Sequence, residues 1–343
     1  MARGVKQPLR VMVLANAECV PPEDHDELPP KQREQYRTEA DVMGALQALG
    51  HHVYVVPLDD ELSVLRRAIE VVKPDVAFNL IEEFHGTAIY DQNVVSYLEL
   101  MKVPYTGCNP RGLVLGRDKA LSKKILSYHR IRVPRFGVFR TGQTVSKPRG
   151  LAFPLIVKSL TEDASAGIAE ASVVQSEEKL AERVEFVHQN LGTHAIVEEY
   201  IDGRETYVGL LGHHRLRALP TWELFMDNLR PAAPRIFTLR AKWDTQFQRE
   251  HGFRIGPAIG FGPEQEQRMG RLARRIYRAL NLSGYARLDF RLDASGQAYF
   301  LEANPNPDLA SDAELAQAAN AAGMSYQQLI AQILMLGQRS LPA

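Results

Sequence analysis

Two carboxylates stand near each other late in this chain. Asp289 lies in Arg287-Leu288-Asp289-Phe290, and Glu302 in Leu301-Glu302-Ala303-Asn304, each among apolar neighbours. Asp293-Ala294-Ser295-Gly296 between them is a polar spacer ending in glycine, which predicts a hairpin. Carboxylates buried side by side repel unless a cation separates them. Two carboxylates and an amide are the oxygen donors that Mg²⁺ takes, usually beside substrate phosphates. Read alone, the pair fits a metal site and two strand ends facing water equally well. Cations stand upstream: Lys119 after Gly116-Arg117-Asp118, and Lys158 at the end of the apolar run Pro154-Leu155-Ile156-Val157. A lone lysine in the second position more often snorkels to solvent. The stretch from Ile196 to Glu205 reads on its own as a surface strand with alternating charges.

The elements that must position these groups follow from periodicity. Residues 9–14 are a short apolar run of the kind that forms a buried parallel strand. Thr38-Glu39-Ala40-Asp41 predicts a helix start with Thr38 as N-cap, after which Val42, Leu46 and Leu49 share one face until Gly50. Strands at 52–56 and 75–80 alternate with helices at 61–72 and 90–101, which predicts a small doubly wound α/β domain over residues 1–115. Residues 18–36, rich in Pro, Asp, Glu and His, form a long connection. A binding loop and a solvated excursion fit it equally. A second unit spans 116–212, with strands at 153–157 and 195–200 and a helix at 176–191. A third spans 213–343, with a helix at 264–280 whose Met269, Leu272, Ile276 and Leu280 form a core stripe. The carboxylate hairpin and two closing helices follow.

The composition bounds the function. The chain has 343 residues, 45% hydrophobic and 24% charged, enough apolar material for two or three domains. Forty-one basic residues cancel forty-one acidic ones, so no broad field draws nucleic acid, and Arg271, Arg274 and Arg275 read as a solvated helix face. Cys19 and Cys108 form no CxxC pair, which argues against a disulfide framework or structural zinc. The first eight residues lack the apolar core of a signal peptide, and no apolar run approaches the ~20 residues that span a bilayer. A cytoplasmic protein with no membrane or nucleic-acid partner is expected.

Taken in order, these segments resemble the ATP-grasp superfamily and, within it, the D-alanine–D-alanine ligases, over residues 75 to 337 or so. The resemblance implies an α/β fold of three units, with a doubly wound N-terminal domain and ATP bound between the central and C-terminal units. Arg-x-Asp-Phe, a hairpin and Leu-Glu-Ala-Asn-x-x-Pro match the family's metal signature. Asp289, Glu302 and Asn304 would then hold two Mg²⁺ ions, or Mn²⁺ in their place, on the ATP phosphates. Arg287 would contact the reacting phosphoryl and acyl groups, while Lys119 and Lys158 would touch the nucleotide phosphates. Ser165 lies in a stretch, 162–168, that resembles the loop covering those phosphates. Glu198 and the backbone of Glu199 and Ile201 would face adenine, and Glu205 would take the ribose hydroxyls. Arg240-Ala241-Lys242-Trp243 resembles the loop that closes over the γ-phosphate through its lysine, here Lys242, with Trp243 replacing the usual tyrosine.

The pattern departs where the family binds its amino acids. His85-Gly86 is followed by Thr87-Ala88-Ile89-Tyr90-Asp91 rather than Gly-Gly-Glu-Asp-Gly. The N-terminal Gly-Gly-x-Ser-x-Glu is replaced by Asn16-Ala17-Glu18, and Ala164 stands where a serine is usual. After the hairpin, the family's glycine aligns with Asp308 and its carboxylate-gripping serine with Ala313, Ser311 being two residues away. Loss of a hydrogen bond to a charged group costs roughly 1.5–3 kcal/mol, and Asp308 would add repulsion toward a substrate carboxylate. The expectation is an intact ATP site and an altered substrate pocket drawn from Glu18, Glu83, His85, Asp308 and Ser311. The implied reaction joins a carboxylate to an amine through an acyl phosphate, releasing ADP and phosphate. An amino acid, an amine or a short peptide would serve as substrate, with Asp308, Asp312 and Glu83 favouring a cationic one. The alternatives are a true D-alanine–D-alanine ligase and an ATP-binding protein or protein-modifying ligase; a homodimer is compatible with each.

Overall fold

A computed structural model describes residues 7–162, 167–230 and 233–340. Its first sheet is parallel, with β1 (Arg10–Asn16) between β2 (His52–Leu58) and β3 (Val76–Asn79). Val11 to Ala15 are wholly buried, which explains a run with no polar alternation. Val11 and Val13 face one core with Val42 and Leu46, while Met12 and Leu14 face another with Leu65, Val94 and Leu98. Residues 17–36 are ordered turns rather than an irregular loop. They form 3-10 turns at Ala17–Cys19, His25–Glu27 and Glu34–Tyr36, with a one-turn helix α1 (Pro30–Arg33) between them. Helices α2 (Arg37–Ala48), α3 (Leu62–Val72) and α4 (Asp91–Leu100) complete this unit. Thr38 lies inside α2 and does not cap it; its hydroxyl instead donates to Asp308, 2.7 Å away.

The middle of the chain opens with α5 (Pro110–Arg117) and α6 (Lys119–Tyr128). An antiparallel sheet follows, in the order β4 (Phe136–Phe139), β7 (Ala195–Glu199), β5 (Leu155–Ser159), β6 (Val173–Val174). Helix α7 (Glu177–Asn190) packs Leu180, Val184 and Val187 beneath it, against Leu155, Val157 and Val197, and Ser176 caps its first turn by accepting from the Lys179 N–H.

The third sheet is also antiparallel: β11 (Phe253–Pro257), β10 (Trp222–Met226), β8 (Arg204–Leu211), β12 (Tyr285–Leu292), β13 (Ala298–Asn304), with β9 (Arg217–Ala218) paired to β8. Helices α8 (Leu239–Trp243) and α9 (Thr245–His251) precede β11, and α10 (Pro263–Ala279) precedes β12. The apolar stripe of α10 buries Met269 and Ile276 against Val208, Leu288, Phe290 and Phe300, so that face of the sheet is closed. Helices α11 (Glu314–Ala321) and α12 (Tyr326–Gly337) end the chain, and α12 packs on α2 and β3 of the first sheet. The expected strands and helices are present with ends displaced by one or two residues. Among the described residues no helix is long and apolar enough to cross a membrane, and both cysteines are free.

Candidate active site

Strand register decides which side chains meet. In β12, Arg287, Asp289 and Arg291 alternate with Leu288 and Phe290, which the α10 core consumes. The odd-numbered set therefore points to the opposite face. Across β8, Asp289 lies opposite Tyr207 and Arg291 opposite Glu205; across β13, Arg287 lies opposite Asn304 and Asp289 opposite Glu302. An irregularity in the β12–β13 ladder falls between Asp289 and Phe290, at the carboxylate pair itself. One face of three strands thus collects the charged groups. The second wall is the sheet of β5 and β7. There Ile156 pairs with Glu198 and Lys158 with Ile196, while Leu155 and Val157 turn into the α7 core. Between the walls lies an open cleft. Lys119, Lys158, Glu162, Glu205, Asp289, Arg291 and Glu302 supply its charge, and residues such as Ile156, Ile236 and Phe237 its apolar surface.

The charges are arranged in pairs. Asp118 caps α6 by accepting from the N–H groups of Ala120 and Leu121, which sets Lys119 at the first helical position. The buried Lys119 ammonium donates to the Glu162 carbonyl at 2.7 Å and lies 3.4 Å from Glu302. Glu198 is fully buried between Lys123, at 2.8 Å, and Lys158, at 3.2 Å. Neither carboxylate oxygen gains a well-angled hydrogen bond from them, so Glu198 keeps acceptor capacity. Burial would raise its pKa, but the two lysines outweigh burial and lower it. Glu302, part-exposed, is held below the usual carboxylate range by Lys119, Lys158 and Lys123. Asp289 moves the other way. Burial pushes it to about 7, with Glu302 and Glu205 adding repulsion, although Arg287 donates to both its oxygens at 2.9 and 3.0 Å.

This carboxylate pair fits a divalent cation. Directly opposed residues of an antiparallel pair have Cβ atoms about 4.5–5.5 Å apart, and the protonation of Asp289 favoured by burial is what a cation would relieve. Among the described residues no group of three or more His, Cys, Asp or Glu could hold a metal. A cation here would draw further ligands from Asn304 and from phosphate oxygens. The Asn304 side-chain oxygen accepts from the Asn306 N–H at 3.0 Å, which fixes its position.

The remaining expected residues are dispersed. Arg287 points along the hairpin to Asp289 and, at 3.3 Å, to Glu314, and it is not part of the cavity wall. Lys242 is half-buried on α8, three residues after Leu239, whose N–H donates to the Ile168 carbonyl; it too lies off the wall. The Glu199 carboxylate accepts from the Arg135 N–H, away from the cavity, and Ile201 continues the chain toward β8. Ser165 and Ala164 lie outside the described residues. Glu18 and Glu83 neighbour the Cys19 thiol, which burial and the carboxylates of Glu39, Glu18, Glu82 and Glu83 push to about 11. His85 is exposed with positive φ, its N–H donating to the Asp59 carbonyl. Asp308 and Asp312 are part-exposed and face α2. Arg37 of α2 lies 3.6 and 3.1 Å from them, Thr38 donates to Asp308, and the Ser311 N–H donates to Asp41. These contacts fasten the 306–312 turn to α2.

Four participants escaped the sequence reading: Lys123, Glu39, Arg291 and Glu314. Lys123 had a signal, its spacing of four from Lys119 on the side of α6 that buries Ala120 and Leu126. Glu39 is buried on the first turn of α2, and burial pushes its carboxyl to about 7, with Glu82 and Asp308 adding repulsion.

A charged cleft between two antiparallel sheets, behind a parallel-sheet unit, is the architecture of an ATP-grasp ligase. Solved structures agree at the level of fold. The chain superposes with a TM-score of 0.74 on the D-alanine–D-alanine ligase of Bacillus anthracis complexed with ATP, at 22% identity, covering 96% of this chain and 98% of that one. It also superposes on the VanG D-Ala:D-Ser ligase of Enterococcus faecalis with a TM-score of 0.71, at 20% identity, covering 96% and 100%. The family model described as "D-ala D-ala ligase C-terminus" matches residues 126–335. A D-alanine–D-alanine ligase of Desulforudis audaxviator is 31% identical over 87% of this chain and 91% of its own length. An uncharacterized protein, y4sG, of Sinorhizobium fredii is 33% identical over 91% of this chain and 90% of its own. The chain belongs to the D-alanine–D-alanine ligase family, and it is an ATP-dependent carboxylate–amine ligase, forming carbon–nitrogen bonds.

Proposed function

We propose that this ligase activates a small amino-acid carboxylate with ATP and Mg²⁺ and joins it to an amino-acid-sized amine, through a substrate pocket remodelled relative to the D-alanine enzymes. The observation that carries the reading is the convergence of Lys119, Lys158, Glu205, Asp289 and Glu302 on one cavity. The lysines suit the phosphates and Glu205 the ribose hydroxyls. Glu198, with acceptor capacity to spare, suits the adenine amino group. Asp289, Glu302 and Asn304 would hold Mg²⁺, which supplies charge neutralisation across the transferring phosphoryl group. A carboxylate oxygen attacks the γ-phosphorus and ADP leaves. The amine nitrogen then attacks the acyl carbon, phosphate leaves, and the nitrogen loses its proton. The Gly-to-Asp308 and Ser-to-Ala313 replacements support a changed acceptor subsite. Asp308 is spent on α2, and Ala313 is buried without a hydroxyl to offer.

The test is Mg²⁺-dependent phosphate release from ATP across pairs of carboxylates and amines, with D-alanine alone as one arm. Release with a pair other than two D-alanines supports the reading, and release with D-alanine alone returns the protein to its relatives' reaction. In either case Asp289→Ala and Glu302→Ala are expected to lose at least about 100-fold in kcat with unchanged circular dichroism. Normal turnover in either variant overturns the metal assignment.

A further inference from the structure

Arg291 enters neither the family resemblance nor the reaction above, yet it is buried in the cleft and fully engaged. It is 5% exposed and lines the cavity. From its place opposite Glu205 it makes three contacts. One terminal nitrogen donates to the Glu205 carboxylate at 2.7 Å. The other donates to the Gly203 carbonyl at 3.2 Å and to the Arg235 carbonyl at 2.7 Å. Gly203 belongs to the hinge between β7 and β8. Arg235 belongs to the segment that leads through Ile236 and Phe237, both lining the cavity, to α8 and Lys242. A second clasp holds the same residue: the Arg235 N–H donates to the Tyr200 hydroxyl at 2.7 Å.

The planar guanidinium therefore joins two parts of the site that are distant along the chain: the hinge with its carboxylate, Gly203 to Glu205, and the Arg235 segment that closes the cavity. A lysine has the charge and three donors, but they radiate from one nitrogen and lack the planar spread by which Arg291 meets Glu205 with one nitrogen and the two carbonyls with the other. We propose that Arg291 is a positioning residue that couples nucleotide occupancy at Glu205 to docking of the 233–242 segment. This rests on the reading of the cleft as the ATP site. Nucleotide hydroxyls arriving at Glu205 meet a carboxylate already oriented and charge-balanced by Arg291. The same guanidinium keeps the Arg235 carbonyl, and with it Ile236 and Phe237, on the nucleotide.

The experiment uses the full chain with Mg²⁺ and a non-hydrolysable ATP analogue. Calorimetry measures affinity, and trypsin cleavage after Arg235, Arg240 and Lys242 measures docking. In the wild type the analogue is expected to bind and to slow cleavage. Arg291→Met is expected to lose about tenfold or more in affinity, the loss of a charged hydrogen bond, and to lose protection even at saturating analogue. Arg291→Lys, which keeps size and charge and so guards against a merely unfolded variant, is expected to recover affinity but not protection. Full recovery of both by Arg291→Lys overturns the coupling, since charge alone would then suffice. Unaltered affinity and protection in Arg291→Met overturn it outright, with the ATP reading intact. A wild type that does not bind the analogue overturns the ATP reading and this inference with it.

Discussion

Lys123 is the least accessible lysine of the site, with Glu198 at 2.8 Å, the Leu301 carbonyl accepting from its ammonium and the Phe300 ring 5.7 Å away. Burial depresses its pKa, against the opposing pull of Glu198 and, more weakly, Glu302. Because Glu198 is shared, removing Lys123 leaves Lys158 as its only cation, drawn from the phosphate position. Breaking a buried pair from one side costs about 3–5 kcal/mol. Lys123→Met is therefore expected to lose about that much stability in urea unfolding, and Glu198→Gln in the same chain to return part of it. Glu39 gives a pH signature. Its folded pKa, about 7, exceeds the ordinary 4.5, so the folded state binds the proton more tightly than the unfolded one. Stability from this group is full at pH 4 and falls as pH rises to 7. The loss is on the order of 3 kcal/mol at most. Glu39→Gln should accordingly raise Tm relative to wild type at pH 8 and not at pH 4.5; an equal effect at both would show that Glu39 does not titrate in this range.

At the scale of elements, the hinge before β8 is the tightest point. Gly203 has φ +153°, and a Cβ there would sit 1.9 Å from the Leu292 carbonyl oxygen, a backbone atom with nowhere to go. Gly203→Ala is expected to cost about 2–4 kcal/mol and to weaken ATP binding through the displaced carbonyl that Arg291 holds, both readable by thermal shift with and without nucleotide. Which elements could be read beforehand follows from their physics. The strands β1 and β5 are largely apolar runs of the right length, β12 alternates apolar with charged residues, and α10 is a long amphipathic stripe, so their patterns are local. Residues 17–36 were opaque because 3-10 turns and a four-residue helix have no period to detect. Thr38-Glu39-Ala40-Asp41 imitates a helix start, but its threonine hydroxyl is taken by Asp308, 270 residues away. Asp289, Glu302, Lys119 and Lys158 stood out through motif and order. Arg291 did not, because a strand arginine is ordinary until its opposite residue, Glu205, is known.

For the whole molecule, ligand linkage gives the broadest check. A nucleotide present at a hundred times its Kd stabilises the fold by about 2.7 kcal/mol. The gain should need Mg²⁺ in the wild type and fall away in Asp289→Ala; a Tm unmoved by Mg²⁺ and ATP together would count against nucleotide binding in this cleft. The chain as a whole is electrically balanced, forty-one charges of each sign, whereas the cavity wall carries one more acidic group than basic ones. Its described wall carries Lys119, Lys158 and Arg291 against Glu162, Glu205, Asp289 and Glu302. Such a wall has no net attraction for a bare polyphosphate. On the proposed reading the nucleotide enters by partner exchange, and only a nucleotide that brings its own divalent counter-ion would arrive with its charge largely met. Occupancy then follows the free magnesium concentration as closely as the nucleotide concentration, so chelation alone would silence the protein in the presence of ample ATP.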